Sequence, residues 1–143
     1  MQILQRFPQM VLGAGLTYAG IGHLTTSRIE FQAQVPTLFK SYADFVVLAS
    51  GVVEILLGIS LLVLWKYRVQ VGIAVGFFFI AVFWGNISQY VNHIDAFGLN
   101  SDTARFIRLL FQPLLVMWAW GSTGAWRALR KFSKGRFNSR QVP

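Results

Sequence analysis

Residues 45–65 read FVVLASGVVEILLGISLLVLW, and Glu54 is the only charged side chain in this run. An α-helix rises about 1.5 Å per residue, so about 20 apolar residues cross the roughly 30 Å of hydrocarbon in a bilayer. The run is therefore predicted to be a membrane-spanning helix. A carboxylate at that depth is costly unless it is paired, protonated or turned toward a polar cavity. Glu54 is thus the first candidate for a functional residue.

The rest of the chain contains three further runs of this kind. The chain is 55% hydrophobic, and 13% of its residues are charged, against about 25% in ordinary soluble domains. A soluble helical bundle is disfavoured because its helices would keep a polar face, and these runs show none. The predicted fold class is all-α: an integral membrane four-helix bundle in 1–126, with spans at about 7–24, 45–65, 69–91 and 106–126. The absence of cysteine excludes disulfides and thiolate metal sites within this chain.

The length of the connections and the positions of the charged residues predict how the spans are arranged and oriented. Only residues 66–68 separate the second span from the third, so these two helices are predicted to be antiparallel neighbours. Four spans place most of the Lys and Arg residues on the side that carries both termini. These residues are Arg6, Lys66, Arg68, Arg127, Arg130, Lys131, Lys134, Arg136 and Arg140. The positive-inside rule then places both termini in the cytoplasm.

The basic tail, residues 127–143, is predicted to fix this topology. Binding of anionic lipid is the alternative, because basic residues near a membrane surface attract acidic headgroups. No nucleic-acid partner is expected, since no nucleic-acid-binding fold or aromatic platform accompanies the charges.

Polar side chains in the predicted spans fall on helical stripes in the outer half of the bundle. Glu54 lies between Gly51 and Gly58, small residues that let another helix approach, so it is expected to face the bundle interior. The stripes predict a pocket that opens outward, with its floor near Glu54 and a roof formed by Arg108 and the loop that carries Asp95. Glu54 is the candidate catalytic residue. The predicted ligand-binding residues are His23, Glu54, Asn86, Gln89, Arg108 and Gln112.

Each of these residues also has a structural interpretation. Glu54 could be hydrogen-bonded to Asn86 or Gln112 and serve only to fix the helix register. Arg108 could extend toward the membrane interface, and His23 could cap the end of its helix. His23 is expected to lie too close to the outer surface to meet Glu54 unless its helix bends. The two histidines stand far apart in the chain, so no metal site is predicted, and no haem or nucleotide motif is present.

Four short motifs carry a resemblance to a known family. They are AGIGHL at 19–24, SGVVEILLG at 50–58, AVFWGNI at 81–87 and RLLFQ at 108–112. Together they resemble the DoxX-like family of small four-helix integral membrane proteins. The chain departs from the family pattern at Trp84-Gly85, where the family has Pro-Ala, and at Pro113, which follows Gln112 and does not precede it. The resemblance implies a compact bundle in a bacterial inner (plasma) membrane. It also implies an association with quinone-linked redox chemistry through a partner oxidoreductase subunit.

Three kinds of function follow from these observations. The first is a multi-pass binding or accessory subunit that takes a small amphiphile, a quinone or a lipid, and works in membrane redox or lipid metabolism. The second is a membrane enzyme, either an oxidoreductase or an isomerase that uses acid–base chemistry on an apolar substrate. The third is a structural or assembly protein. Quinone is the candidate cofactor, and the lipid bilayer is the predicted environment.

Overall fold

A computed structural model describes residues 2–26, 28–32, 35–93 and 101–138 of the chain. Within those ranges the protein is entirely helical and has no β-strand, which confirms the all-α prediction. The long helices are α1 (Gln2–Leu24), α3 (Ala43–Val63), α4 (Arg68–Val91) and α5 (Asp102–Thr123). The shorter ones are α2 (Arg28–Gln32) and α6 (Ala125–Asn138). Two 3-10 turns, Thr37–Tyr42 and Trp65–Tyr67, precede α3 and α4.

Glycines on facing stripes hold α1 and α3 together as an antiparallel pair. A Cβ added to Gly20 would lie 2.7 Å from the carbonyl oxygen of Gly51, and one added to Gly13 would lie 2.9 Å from that of Gly58. The two backbones therefore approach more closely than any side chain at these positions would permit. Small residues at a helix interface allow this approach, and the gain is close van der Waals packing along the whole pair.

A second antiparallel pair is formed by α4 and α5. Gly72 packs against Thr123, and Gly76 packs against the indole of Trp120. Farther along the pair, the side-chain amides of Asn86 and Gln112 are hydrogen-bonded. By contrast, α3 and α4 make a much smaller contact although only a short turn joins them. The linker makes them sequential neighbours, but the most extensive packing is α1 with α3 and α4 with α5.

The two pairs meet around a small apolar core. Its buried members come from all four long helices and are Leu12, Leu16, Leu61, Val75, Phe79 and Ala119. At the end of the bundle nearest the α3–α4 turn, the Gln9 amide donates a hydrogen bond to the carbonyl oxygen of Leu61 (2.9 Å). The indole of Trp118 donates to the carbonyl oxygen of Pro8 (2.9 Å) and ties α5 to α1. These contacts close one end of the bundle.

The helix ends agree with the predicted spans at Leu24 and Val91 and differ from them by one to five residues elsewhere. Four spans were predicted, and among the described residues two helical segments, Leu38–Val63 and Trp65–Val91, are long and apolar enough to cross a membrane. The fourth predicted span was expected to continue to Trp126. Instead α5 ends at Thr123, because Gly124 adopts a left-handed conformation (φ 81°) that ends the helix. The chain then begins α6 immediately, so the described part of the basic tail is a helix.

The connection between α1 and α3 folds back over the bundle. It contains α2 and the Thr37–Tyr42 turn, where a polar connection without assigned elements was predicted. The guanidinium of Arg28 makes two hydrogen bonds with the carboxylate of Asp44, one of them 2.6 Å from Nε to Oδ1. The amide of Gln32 donates to the same carboxylate (3.2 Å). These exposed contacts attach α2 to the first turn of α3.

Candidate functional site

A cavity of about 560 Å³ lies between the two helix pairs. Each of the four long helices contributes to its wall, and so do Phe31, Val35 and Pro36 from the connection that follows α1. Most of the lining is aliphatic or aromatic. The polar side chains in the wall are His23, Ser50, Glu54, Arg108 and Gln112. A mostly apolar cavity with a few convergent polar groups is the usual form of a small-molecule site.

Glu54 and His23 form a buried polar contact in the wall of this cavity. Both residues are buried, at 7% and 6% exposure. Nδ1 of His23 lies 3.1 Å from Oε2 of Glu54. The approach has the distance of an ion pair but not the angles of a hydrogen bond, and neither atom has a hydrogen-bond partner among the described residues. Two buried polar atoms of cavity-lining residues therefore face each other without a hydrogen bond.

The contact corrects the expectation that His23 lies too close to the outer surface to meet Glu54. Gly20 faces Gly51, so α1 ends four residues beyond this contact whereas α3 begins eight residues before it. At 1.5 Å per residue, α3 extends roughly 6 Å past the end of α1. Side chains also lean toward the N-terminus of their own helix. In an antiparallel pair, His23 and Glu54 consequently lean toward each other.

Arg108 and Gln112 approach the cavity from α5. Arg108 is half-buried, and its positive charge acts on the Glu54 carboxyl from the opposite helix pair. Gln112 is buried, and its amide nitrogen donates a hydrogen bond to the carbonyl oxygen of Phe79 (2.9 Å). Its Oε1 accepts from Asn86 (3.1 Å). The expectation that Glu54 bonds to Asn86 or Gln112 is therefore wrong, because these two amides bond to each other and to the backbone.

The six predicted site residues divide into two groups. His23, Glu54, Arg108 and Gln112 line the cavity. Asn86 and Gln89 are buried, at 3% and 2% exposure, but do not line it. Asn86 instead positions Gln112. Asp95, which was expected to form part of a roof, lies outside the described residues.

The cavity continues past Glu54, so the expectation that Glu54 forms its floor is also wrong. Beyond the carboxyl the wall is apolar and includes Leu12, Phe79, Leu115 and Trp118. The polar groups thus occupy one end of the cavity, and the other end is a hydrocarbon-like chamber. Trp118, which was not among the predicted site residues, is thus part of the cavity wall.

A gap between α1 and α5 connects the cavity with the surface. Val11 and Trp118 line the cavity, yet each is 40% exposed. Gly15 lies one turn farther along α1 and is also both lining and exposed. A Cβ added to Gly15 would meet nothing within 4 Å in the described part of the chain. Unlike Gly13 and Gly20, this glycine leaves space and does not join helices.

Buried polar groups also occur at the end of the bundle where few were predicted. Gln9 and Thr123 are fully buried. Thr123 donates to the carbonyl oxygen of Ala119 within its own helix (2.6 Å), and Gln9 joins α1 to α3. Polar residues are therefore not confined to the outer half of the bundle. These two bind backbone carbonyls and do not line the cavity.

A separate polar cluster lies at the start of α5. Nδ1 of His93 is 2.6 Å from Oδ1 of Asp102, and the Arg105 guanidinium donates to the same oxygen (2.9 Å). The hydrogen bond from His93 holds the pKa of Asp102 below its usual value. His93 has a positive φ of 52°, which turns its side chain out of the α4 stripe that contains Asn86 and Gln89. His93 and Asp102 are exposed whereas Arg105 is buried, and none of the three lines the cavity.

The described ranges contain no group of three or more His, Cys, Asp or Glu side chains that could hold a metal ion. The cavity nevertheless has groups that can move a proton and hold an oxygen atom. A histidine and a carboxyl within 3.1 Å can share or relay a proton. A guanidinium carries several N–H donors in a planar fork and can bind a carbonyl, carboxylate or phosphate oxygen.

Residues 12–123 match a family model described as a domain of unknown function, DUF8561. The chain belongs to the DUF8561 family. The match begins in α1 and ends at the last residue of α5, so it contains the whole cavity wall except Val11. The DUF8561 region does not include α6. No curated protein and no solved structure matches the chain.

Proposed function

We propose that the chain is a multi-pass protein of a bacterial plasma membrane, with four spans and both termini in the cytoplasm. Support comes from the two apolar helical segments and from large hydrophobic side chains exposed on every long helix. Tyr18 on α1, Phe45 on α3, Phe77 on α4 and Met117 on α5 are examples, with 55–81% exposure. A bilayer would cover these side chains. The motif resemblance to DoxX-like proteins agrees with this architecture.

We further propose that the cavity binds a small amphiphile, either a quinone or a lipid. The observation that supports this most strongly is the pair of unsatisfied buried atoms, His23 Nδ1 and Glu54 Oε2, at one end of an otherwise apolar cavity. Buried polar atoms without partners are costly, at about 1–3 kcal/mol each. A ligand headgroup that bonds to them would remove this cost, while the apolar end would take the hydrocarbon part of the same molecule.

A quinone fits these residues. Its carbonyl oxygens could accept hydrogen bonds from Arg108 and from the ring N–H of His23, and its ring and tail could pack against Leu16, Phe79 and Trp118. When bound, a quinone would supply electron transfer. The residues of this chain would position its carbonyl groups and exclude water from them. In that case the protein would act as an accessory subunit beside a partner oxidoreductase. A lipid ligand would place it in lipid metabolism.

The ligand hypothesis is tested by extracting and identifying what co-purifies with the protein. The full chain would be purified in mild detergent, and bound quinones and lipids would be quantified by mass spectrometry. We expect Glu54→Gln combined with Arg108→Ala to lower the bound amphiphile several-fold. If this variant and the wild type retain equal amounts, the cavity is not a ligand site and a structural role is favoured.

Two glycines provide a matched control that leaves the polar residues intact. Gly15→Leu would fill the gap between α1 and α5, whereas Gly121→Leu would place the same side chain on an open face of α5. Neither added Cβ meets another atom within 4 Å in the described ranges. We expect Gly15→Leu to lower ligand retention and Gly121→Leu to leave it unchanged. An equal effect of both would mean that ligand binding does not depend on this cavity.

The distance between His23 and Glu54 favours acid–base catalysis as a second candidate function. A histidine–carboxyl pair beside an apolar chamber could move a proton between two carbon atoms of a bound substrate. The co-purifying amphiphile would be incubated with the protein in deuterated water. Deuterium incorporation that Glu54→Gln abolishes would indicate an enzyme. Retention of the amphiphile without incorporation would indicate binding alone.

A further inference from the structure

The α6 helix, which follows the DUF8561 region, sorts its residues onto two opposite faces. Arg127, Arg130, Lys131 and Lys134 follow the i, i+3, i+4, i+7 spacing and therefore share one face. A second set with the same spacing is apolar and is displaced by two residues, or about 200° around the helix. It comprises Ala125, Ala128, Leu129 and Phe132. All four basic side chains are exposed.

The apolar face of α6 is covered by protein at one end only. Ala125 is fully buried against the rest of the bundle, Ala128 and Leu129 are half-buried, and Phe132 is 71% exposed. Trp126 is 50% exposed, and its ring lies 6.0 Å from that of Trp120. The helix is therefore attached at its start to the end of the bundle, and its apolar face becomes more exposed toward Phe132.

The surroundings of α6 carry the same sign of charge. Gly124, just before the helix, lies beside Val69 at the beginning of α4, so Lys66 and Arg68 belong to this end of the bundle. The Arg6 guanidinium also lies here, over the ring of Trp65. Among the described residues, the acidic side chains belong to α2, to α3 and to the first turn of α5, and none belongs to α6. The described charged residues at the end of the bundle that carries α6 are thus all basic.

We propose that α6 lies along the membrane surface and binds the acidic headgroups of phospholipids. In this arrangement Phe132 and Leu129 would enter the boundary between headgroups and acyl chains, and the basic face would contact phosphates. Amphipathic helices with Lys and Arg on one face and Phe, Leu or Trp on the other bind membranes in this way. The inference rests on the proposed membrane placement of the bundle but not on the cavity or its ligand.

Lipid preference of the full chain tests the proposal. The protein would be reconstituted in nanodiscs that contain phosphatidylcholine and phosphatidylglycerol, and the lipids that remain bound after mild delipidation would be quantified by mass spectrometry. We expect wild type to retain phosphatidylglycerol preferentially. Neutralising Arg127, Arg130, Lys131 and Lys134 with glutamine should reduce this preference by up to about fivefold per charge removed.

Two single variants form a matched pair. Lys131→Gln removes an exposed lysine from α6, and Lys40→Gln removes an exposed lysine from the opposite end of the bundle. Only Lys131→Gln should lower the preference for phosphatidylglycerol. Equal effects of the pair, or an unchanged preference in the fourfold variant, would overturn the proposal and leave the charges a role in topology or in binding another polyanion such as nucleic acid. Failure of the wild type to enter nanodiscs would instead contradict the membrane placement.

The depth of the apolar face can be measured independently, because the chain contains no cysteine. Spin labels at Phe132→Cys and Arg130→Cys would report on opposite faces of α6. In nanodiscs with phosphatidylglycerol, the label at 132 should be accessible to oxygen and shielded from a water-soluble nickel complex, and the label at 130 should show the reverse. Equal accessibility of the two labels to the nickel complex would mean that α6 stands away from the membrane.

Discussion

Replacement by alanine should lower the free energy of unfolding at Gly20 and maintain or raise it at Gly15, although both glycines lie on α1. A Cβ added to Gly20 would lie 2.7 Å from the carbonyl oxygen of Gly51 and 2.7 Å from Cγ1 of Ile55, whereas ordinary contacts begin at 3.4 Å. The alanine in Gly20→Ala therefore requires α1 and α3 to separate by several tenths of an ångström. Such overpacking typically costs about 1–3 kcal/mol, because neighbouring contacts along the pair are weakened as well.

Gly15→Ala supplies the matched control. Its Cβ would meet nothing within 4 Å in the described part of the chain, and replacing a helical glycine with alanine stabilises a helix by roughly 0.5–1 kcal/mol. The free energy of unfolding would be measured by denaturant titration of the purified protein in detergent micelles. We expect Gly20→Ala to be less stable than the wild type and Gly15→Ala to be equally or more stable. If Gly20→Ala unfolds at the same denaturant concentration as Gly15→Ala, α1 and α3 do not pack through these glycines.

Three further predictions concern other parts of the structure. Gln112→Leu should lower the free energy of unfolding by about 1–3 kcal/mol, because it removes the side-chain amide that donates a hydrogen bond to the carbonyl oxygen of Phe79. Gln70→Leu, at an exposed position of α4, is the control and should have little effect in the same unfolding assay. Gly124→Ala should destabilise the protein by about 1 kcal/mol in thermal unfolding, since only glycine adopts a φ of 81° without strain. His93→Ala should raise the pKa of Asp102, which the hydrogen bond from His93 holds below the usual 3.8. A carboxyl whose pKa is lower in the folded state than in the unfolded state stabilises the fold when it is ionised. The stabilisation by Asp102 is therefore complete above about pH 4 and is lost as the pH falls through the folded-state pKa. In an acid titration followed by NMR, the titration midpoint of the Asp102 carboxyl should lie at a higher pH in the variant than in the wild type.

The sequence predicted the parts of the fold that depend on composition and helical spacing. The apolar runs around Glu54 and Asn86 became α3 and α4, because a helix satisfies the backbone hydrogen bonds of a long apolar run within the run itself. Glu54 faces the interior because Gly51 and Gly58 on the same stripe admit a second helix. A residue's position along its helix, and the face of the helix on which it lies, depend on that one segment alone. Both can therefore be read from the sequence.

The relative heights of different helices could not be predicted in the same way. His23 was placed by counting from the end of its own helix, which assumes that all helices end at one level. In the fold, α3 extends past the end of α1, so that His23, near the end of α1, lies close enough to Glu54 for their side chains to meet. The short turn at Trp65–Tyr67 predicted that α3 and α4 are antiparallel neighbours, and they are in contact, but the turn gave no indication that α1 and α3 pack more extensively. Loop length limits the distance between helix ends, not the extent of packing.

The sequence indicated that amide side chains lie inside the bundle, but it did not indicate which groups they are hydrogen-bonded to. Asn86 and Gln112 were both assigned to the site. Only Gln112 lines the cavity, and Asn86 donates a hydrogen bond to Gln112 without lining the cavity itself. Gln9 was missed because it falls near the start of its span, where a polar residue is ordinarily solvated. A bond from a side chain to a backbone carbonyl, such as that from Gln9 to Leu61, leaves no spacing pattern in the sequence.

The division into two glycine-sealed pairs has a mechanical consequence. The backbones of α1 and α3 meet directly at glycines, and in the second pair the glycines of α4 admit side chains of α5, whereas the seam between the pairs contains the cavity. The seam is therefore where the four-helix packing is least extensive. The hydrogen bond from the Trp118 indole to the Pro8 carbonyl oxygen crosses the seam along one edge, so a ligand wider than the cavity would have to lengthen or break that bond.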